Sequence, residues 1–251
     1  EPQHLLARWV EAELFRTRGE IRQADAAYEW FVELYNRQQE RIARPEDLRI
    51  VALAAAQSAR WQRRPGDFRF VVNTMLPKAL RIDPDYWPAH YEAGRLYLEK
   101  FNVAEATKSL AAALKINPAA AEVHAAEAKL ALQRYNLDSA ARSLDRALEI
   151  RPNLAEAHSL RADWHLANFD VESALASLRK ALESNARDDA VLGQVVAVRL
   201  IQLPQELPAR PDGEANARGP AGDLDSAAAV LEAKPAEIVE AVELSVARAR
   251  V

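Results

Sequence analysis

No cysteine occurs in the 251 residues. That excludes disulfides, thiolate metal sites and a thiol nucleophile, and it leaves the compartment open between bacterial cytoplasm and periplasm. No apolar run approaches the ~20 residues needed to span a bilayer, so membrane insertion is not expected. Charge of one sign is not in excess: the net charge of −4 favours solubility and gives no general attraction to nucleic acid or anionic lipid. Catalytic signatures are missing as well. There is no His-Glu-x-x-His, no glycine followed by Lys-Ser or Lys-Thr, and no Gly-x-Ser-x-Gly. Scattered Asp and Glu on helices read as a solvated face. The sequence therefore points to a segment that is not an enzyme, with no cofactor and no metal. Its start at Glu1, without methionine or a charged-then-apolar leader, leads to the expectation of an internal point in a longer gene product.

What is present is a period. His90, His124 and His158 are 34 residues apart, and the same step relates Ala106, Ala140 and Ala174. Leu110, Leu144 and Leu178 keep it, as do Ala113, Ala147 and Ala181, and Pro84, Pro118 and Pro152. Self-similarity at a fixed step means one supersecondary unit stacked on copies of itself. Seven glycines, thirteen prolines and 49% apolar residues, rich in Ala and Leu, suit an all-α chain.

Within 87–120, WPAHYEAGRLYLEK reads as a first helix and VAEATKSLAAALKI as a second. Ala106, Leu110, Ala113 and Leu114 fall on one stripe of the second helix. Asn117-Pro118 ends it, because the residue before proline is pushed out of the helical region. Phe101-Asn102 forms the turn between the helices, followed one and two steps later by Tyr135-Asn136 and Asn168-Phe169-Asp170. Small alanines at the repeated sites let antiparallel helices approach closely.

These residues resemble the tetratricopeptide repeat, a 34-residue helix–turn–helix family. Gly94, Tyr97, Ala106, Leu110, Ala113 and Pro118 follow the family order, then Ala128, Ala140, Leu144, Ala147 and Pro152, then Ala162, Ala174, Leu178 and Ala181. The resemblance implies a right-handed α-α superhelix over 5–202, with units at about 5–38, 53–86, 87–120, 121–154 and 155–188 and a further helix to 202. Leu76, Ala79 and Leu80 place a worn copy upstream, whose first helix begins near Pro45-Glu46-Asp47. Ala12, Phe15, Gly19, Ala24, Tyr28 and Phe31 fit another, and the first two units are longer than standard. The Pro/Gly-rich stretch 203–222 reads as a mobile loop. Residues 223–251 read as a partial repeat, broken at Lys234-Pro235. Its terminal helix, carrying Val239, Val242 and Val246, has no capping partner, so truncation is expected at this end too.

The histidine ladder invites a metal reading that geometry opposes. Neighbouring first helices lie roughly 8–10 Å apart, while imidazole–zinc bonds are about 2 Å. The histidines are expected to be packing residues at the place where the family holds a bulky aromatic. Arg37, Arg41, Arg44, Arg49, Arg60, Arg63, Arg64 and Arg69 form a local basic excess. Without aromatics interleaved to stack bases, they are expected to snorkel along extended helices rather than bind nucleic acid. Ser109, Ser143 and Ser177 also keep the period and satisfy themselves on the preceding turn.

The family resemblance further implies that first helices line a groove for an extended peptide or a partner's helix. Carried onto this chain, the groove positions are Tyr91, Arg95, Leu98 and Glu99; then Ala125, Lys129, Leu132 and Gln133; then Ser159, Asp163 and Leu166. Arg95 and Lys129 make it partly cationic and Asp163 reverses the sign, which implies a ligand of mixed charge. The asparagines of the family's carboxylate clamp are missing, so a chaperone tail is not expected. A narrower resemblance links DYWPAHYEAGRLYLEKFNVAEA to amino-terminal repeats of large bacterial proteins that carry a peptidase MA-like (gluzincin) domain. The reading is a scaffold binding a protein or peptide. The alternatives are the recognition arm of a zinc metallopeptidase and a self-association module acting through the C-terminal helix.

Overall fold

A computed structural model describes residues 5–184 and 188–202, and every regular element among them is helical. The stretches read from sequence as a loop over 203–222 and a partial repeat over 223–251 lie outside the described residues. The chain divides into two compact units, 1–126 and 127–251.

In the first unit α1 (Leu5–Thr17) pairs with α2 (Ile21–Gln38), which passes through a short 3-10 turn (Gln39–Arg41) into α3 (Pro45–Trp61). The helix after α3 is composite: α4 (Pro65–Phe70), a π-helical turn (Val71–Met75) and α5 (Leu76–Ile82). Then come α6 (Trp87–Glu99) and α7 (Val103–Ile116), packed as a hairpin. The helix α8 (Ala121–Gln133) runs through the division. In the second unit follow α9 (Leu137–Ile150), α10 (Ala155–Ala167), α11 (Val171–Ser184) and α12 (Asp189–Gln202).

One turn design joins each first helix to its second. Gly19, Arg63, Phe101, Tyr135 and Phe169 take left-handed backbone with φ of 72°, 53°, 55°, 55° and 61°. The next amide reaches back five residues to close the helix end: Asn102 to the Tyr97 carbonyl at 2.9 Å, Asn136 to Ala131 at 2.8 Å, Asp170 to His165 at 2.9 Å. This is the Schellman closure, which normally uses glycine because a Cβ strains that conformation. The following polar residue then caps the second helix. Asn102 Oδ1 accepts from the Glu105 amide at 3.3 Å, Asn136 from Ser139 at 3.1 Å and Asp170 from Ser173 at 3.0 Å. One tripeptide thus stops a helix, reverses the chain and starts the next.

The turns also explain why the early units run long. Arg63 and Phe101 are 38 residues apart rather than 34. The extra residues lie in the composite helix, which spans Pro65 to Ile82 and holds the π-helical turn. Four residues advance an α-helix by about 400°, close to one full turn, so both ends of the helix keep facing the core. With α3 also running 17 residues against 13 for α6, its start falls at Pro45, ahead of residue 53, where a strict 34-residue step would place its unit.

Packing follows the period. Ala106, Ala113, Ala140, Ala147, Ala174 and Ala181 are all fully buried, as are Leu110, Leu144 and Leu178. An ideal Cβ on Gly94 would stand 2.7 Å from Leu110 Cδ2, which shows how closely α6 and α7 approach. The first pair of helices uses aromatics instead. Tyr28 and Phe31 are fully buried, with Trp9 5.8 Å and Trp61 5.3 Å from the Tyr28 ring. At the second unit's far end Val191, Val195 and Val198 seat α12 against the α10–α11 core.

Candidate functional site

The first helices carry the expected groove residues, and the repeat junctions fix where those helices begin. Each junction is a turn in which Tyr86, Ala120 and Leu154 donate to the carbonyls of Asp83, Asn117 and Arg151, each at 3.2 Å. The imidazole Nε2 of His124 lies 2.9 Å from the Pro118 carbonyl oxygen, and that of His158 lies 2.8 Å from Pro152. A carbonyl only accepts, so in both contacts Nε2 carries the hydrogen. The ladder therefore pins the start of a first helix to the proline turn before it. His90, one step earlier, is half-buried, and burial lowers its pKa. Among the described residues, no three His, Asp or Glu side chains are grouped to hold a metal ion.

In the first unit Glu92, one residue beyond the expected position Tyr91, organises the surface. Its side chain is only 6% exposed, and its two oxygens take Arg49 Nη1 and Arg95 Nε, each at 3.1 Å. Arg49 crosses from α3 to make this bond and also donates from Nε to the Tyr86 hydroxyl at 3.2 Å. The Arg95 guanidinium sits 6.0 Å from the Tyr91 ring centre. A second bridge joins the same helices: Arg60 Nε lies 2.9 Å from both Glu99 oxygens, and Nη2 lies 2.6 Å from Oε2. Burial alone would raise the Glu99 pKa, but hydrogen bonding and charge from Arg60, with Lys100 behind it, hold it below the ordinary value. Leu98 is fully buried, so it lies beneath the surface that Tyr91 and Arg95 offer. Ala125 is fully buried as well.

In the second unit Ser159 and Asp163 come together under α12. Ser159 Oγ donates to Gln194 Oε1 at 2.6 Å, and Gln194 Nε2 donates to Asp163 Oδ1 at 2.9 Å. Burial raises the Asp163 pKa against the opposing pull of Gln194 and the Lys129 charge. Leu166 packs on the core of this unit, while Lys129, Leu132 and Gln133 are half-buried on α8.

Residue spacing alone did not reveal Glu92, Arg49, Arg60 or Gln194 as organising residues. The local clue was Glu92 three residues before Arg95, one helical turn apart. The bridges Arg49–Glu92 and Arg60–Glu99 span 43 and 39 residues, which no local pattern announces. They also dissolve most of the basic cluster. Arg49 and Arg60 are paired to α6, Arg44 to Asp47, Arg37 to Glu33, and Arg64 to Glu29 and Asp67.

Residues 74–130, from α5 through most of α8, match the family model described as tetratricopeptide repeat. Over those residues the chain is similar to tetratricopeptide repeats. Solved tetratricopeptide structures agree in fold. The TPR protein TTC0263 of Thermus thermophilus is 21% identical, with a TM-score of 0.60 over 80% of this chain and 100% of that one. A tetratricopeptide repeat protein from Parabacteroides merdae is 18% identical, with a TM-score of 0.55 over 82% of this chain and 76% of that one. No curated protein matches the sequence. Tetratricopeptide folds are in general protein-interaction scaffolds without catalysis of their own, and no described helix is long and apolar enough to cross a membrane.

Proposed function

We propose that the chain is a non-catalytic scaffold that binds a protein or peptide along its first helices. The arrangement around Glu92 carries this reading. One buried carboxylate holds two guanidiniums whose side chains stay 30% and 40% exposed, at Arg49 and Arg95. Arg95 also stands 6.0 Å from the Tyr91 ring centre, so a cation and an aromatic ring lie side by side on α6. Such a patch accepts a carboxylate next to an aromatic or aliphatic side chain. Lys129 supplies a second cation on α8. Ser159 and Asp163 are engaged by Gln194, so they serve the α10–α12 contact, and ligand contact is assigned first to Tyr91, Arg95 and Lys129. Leu132, Gln133 and Leu166, in the same unit as Lys129, add modest apolar and amide surface there. Affinity then comes from small contacts spread over several repeats.

The test is capture of partners from a cell extract by the chain and by its Arg95→Glu/Lys129→Glu variant. A groove ligand should be recovered by the first and fall at least tenfold with the second, the loss that about 1.4 kcal/mol produces. Equal recovery places the partner elsewhere. The reading as the arm of a zinc peptidase gains no support from the similar structures.

A further inference from the structure

One place in the first helices carries a ring in two repeats and none in the repeat between them. Tyr97, Ala131 and His165 are 34 residues apart, so alanine stands where its neighbours in the period are aromatic. The preceding residue changes in the same way, because Leu130 is followed one period later by Trp164. In α10 those larger side chains are packed. Trp164 Nε1 donates to the Leu137 carbonyl at 2.9 Å, and the His165 ring stands edge-on to it with centroids 5.0 Å apart. Arg161, at the place of Glu127, forms an ion pair with Asp145 of α9.

Where the smaller side chains stand, an open cavity of about 200 Å³ is bordered by α8 and α9. All of its lining residues belong to the second unit. Leu130 and Ala131 form an apolar floor and are each 8% exposed. Glu127 on α8 and Arg134 just past its end bring one charge of each sign to the wall. Arg134 is exposed, and among the described residues its guanidinium has no ion-pair partner. Ser139 and Ser143 of α9 complete the polar side. Arg142 Nη2 donates to Ser139 Oγ at 3.0 Å, which leaves the Ser139 hydroxyl hydrogen to be donated in turn.

An apolar floor ringed by an anion, a cation and a hydroxyl donor matches the chemistry of an aromatic α-amino acid. Its carboxylate meets the Arg134 guanidinium and the Ser139 hydroxyl, and its ammonium meets Glu127. A carboxylate accepts from several donors at once, so Glu127 takes the ammonium without giving up bonds it already makes. The ring lies on the floor, at the place that Trp164 and His165 fill one period later. Inside a peptide both charges are lost to amide bonds, so the pair of them selects the free amino acid. The volume is below that of a drug-sized site and suits one small molecule. We infer that this cavity binds a free aromatic amino acid, its zwitterion held between Glu127 and Arg134 and its ring on Leu130 and Ala131. The site is separate from the groove, and neither reading depends on the other.

Ligand-observed NMR titration of the full chain tests this with L-tryptophan, and with tryptamine and indole-3-acetate, which each lack one of the two charges. L-Tryptophan should bind with a Kd of about 1 mM or below. Tryptamine and indole-3-acetate should each bind about tenfold more weakly, the scale of one charge-assisted hydrogen bond. Arg134→Gln should weaken L-tryptophan by about the same factor and leave tryptamine unchanged. Leu130→Trp/Ala131→His copies the next repeat into the cavity and should abolish binding while the thermal unfolding midpoint holds or rises. Far-UV circular dichroism checks both variants, and Arg134→Gln, at an exposed position, decides the outcome if the filled variant unfolds. No binding of L-tryptophan by the unaltered chain overturns the proposal. Equal binding of the three compounds, or undiminished binding of L-tryptophan by Arg134→Gln or by the folded filled variant, overturns it equally.

Discussion

The imidazole Nε2 of His158 lies 2.8 Å from the carbonyl oxygen of Pro152, six residues upstream in the turn that joins two repeats. His158 is 8% exposed, so water does not readily replace it as the donor. His158→Phe keeps the ring volume but removes the donor, and should cost about 1 kcal/mol in urea unfolding. His158→Ala also empties the space and should cost about 2–3 kcal/mol. Equal costs for the two would mean that only the hydrogen bond, and not the packing, matters at this junction.

The left-handed turns hold strain that a single change can release. Phe169 has φ of 61° and is 91% exposed, so little packing is lost when its ring goes. Phe169→Gly should raise stability by up to about 1 kcal/mol, the Cβ strain relieved less the entropy glycine adds to the unfolded chain. The midpoint of thermal unfolding checks it. A fall would show that the exposed ring has an unrecognised packing partner.

Glu92 should be the most sensitive acidic residue on the groove side. Glu92→Ala leaves Arg49 and Arg95 facing each other without their shared carboxylate. The expected loss is about 2–3 kcal/mol, below that of a fully buried pair because both guanidiniums reach solvent. Arg49→Ala should cost less, since Arg95 still pairs with Glu92. In a double-mutant cycle Arg49 and Glu92 should couple by about 1 kcal/mol, and additivity would show the bridge to be inert.

The fold was more legible than the site, for a physical reason. Helix packing repeats every 34 residues, so Ala106, Leu110, Ala113 and their successors announce it locally. The turn chemistry was half visible. Asn102, Asn136 and Asp170 are familiar caps, but Phe101, Tyr135 and Phe169 occupy a backbone state that their side chains do not advertise. The groove positions depend on neighbours from other repeats. Arg49 reaches Glu92 and Gln194 reaches Ser159 only after stacking, and Leu98 vanishes beneath the surface for the same reason. The basic excess over 37–69 looked unbalanced because two of its acidic partners, Glu92 and Glu99, lie further along the chain.

Asp163 makes the α10–α12 contact sensitive to pH. Burial raises its pKa, so its neutral form is favoured by folding. Its stabilising contribution is complete below the ordinary aspartate range and is lost as pH rises through the raised folded value. Asp163→Asn keeps an oxygen to accept from Gln194 Nε2 without the charge. The variant should be more stable than the parent at pH 7, with the advantage shrinking as pH falls through the acidic range. An advantage that is constant with pH would mean that Asp163 titrates normally.

The central claim is that the first helices of the repeats form the recognition surface. Amide hydrogen exchange tests it directly, comparing the chain alone with the chain bound to a partner recovered by capture. The account predicts added protection in α6 and α8, centred on the turns of helix bearing Tyr91, Arg95 and Lys129, with α7, α9 and α11 unchanged. Protection confined to those second helices, with α6 and α8 exchanging as before, would contradict it.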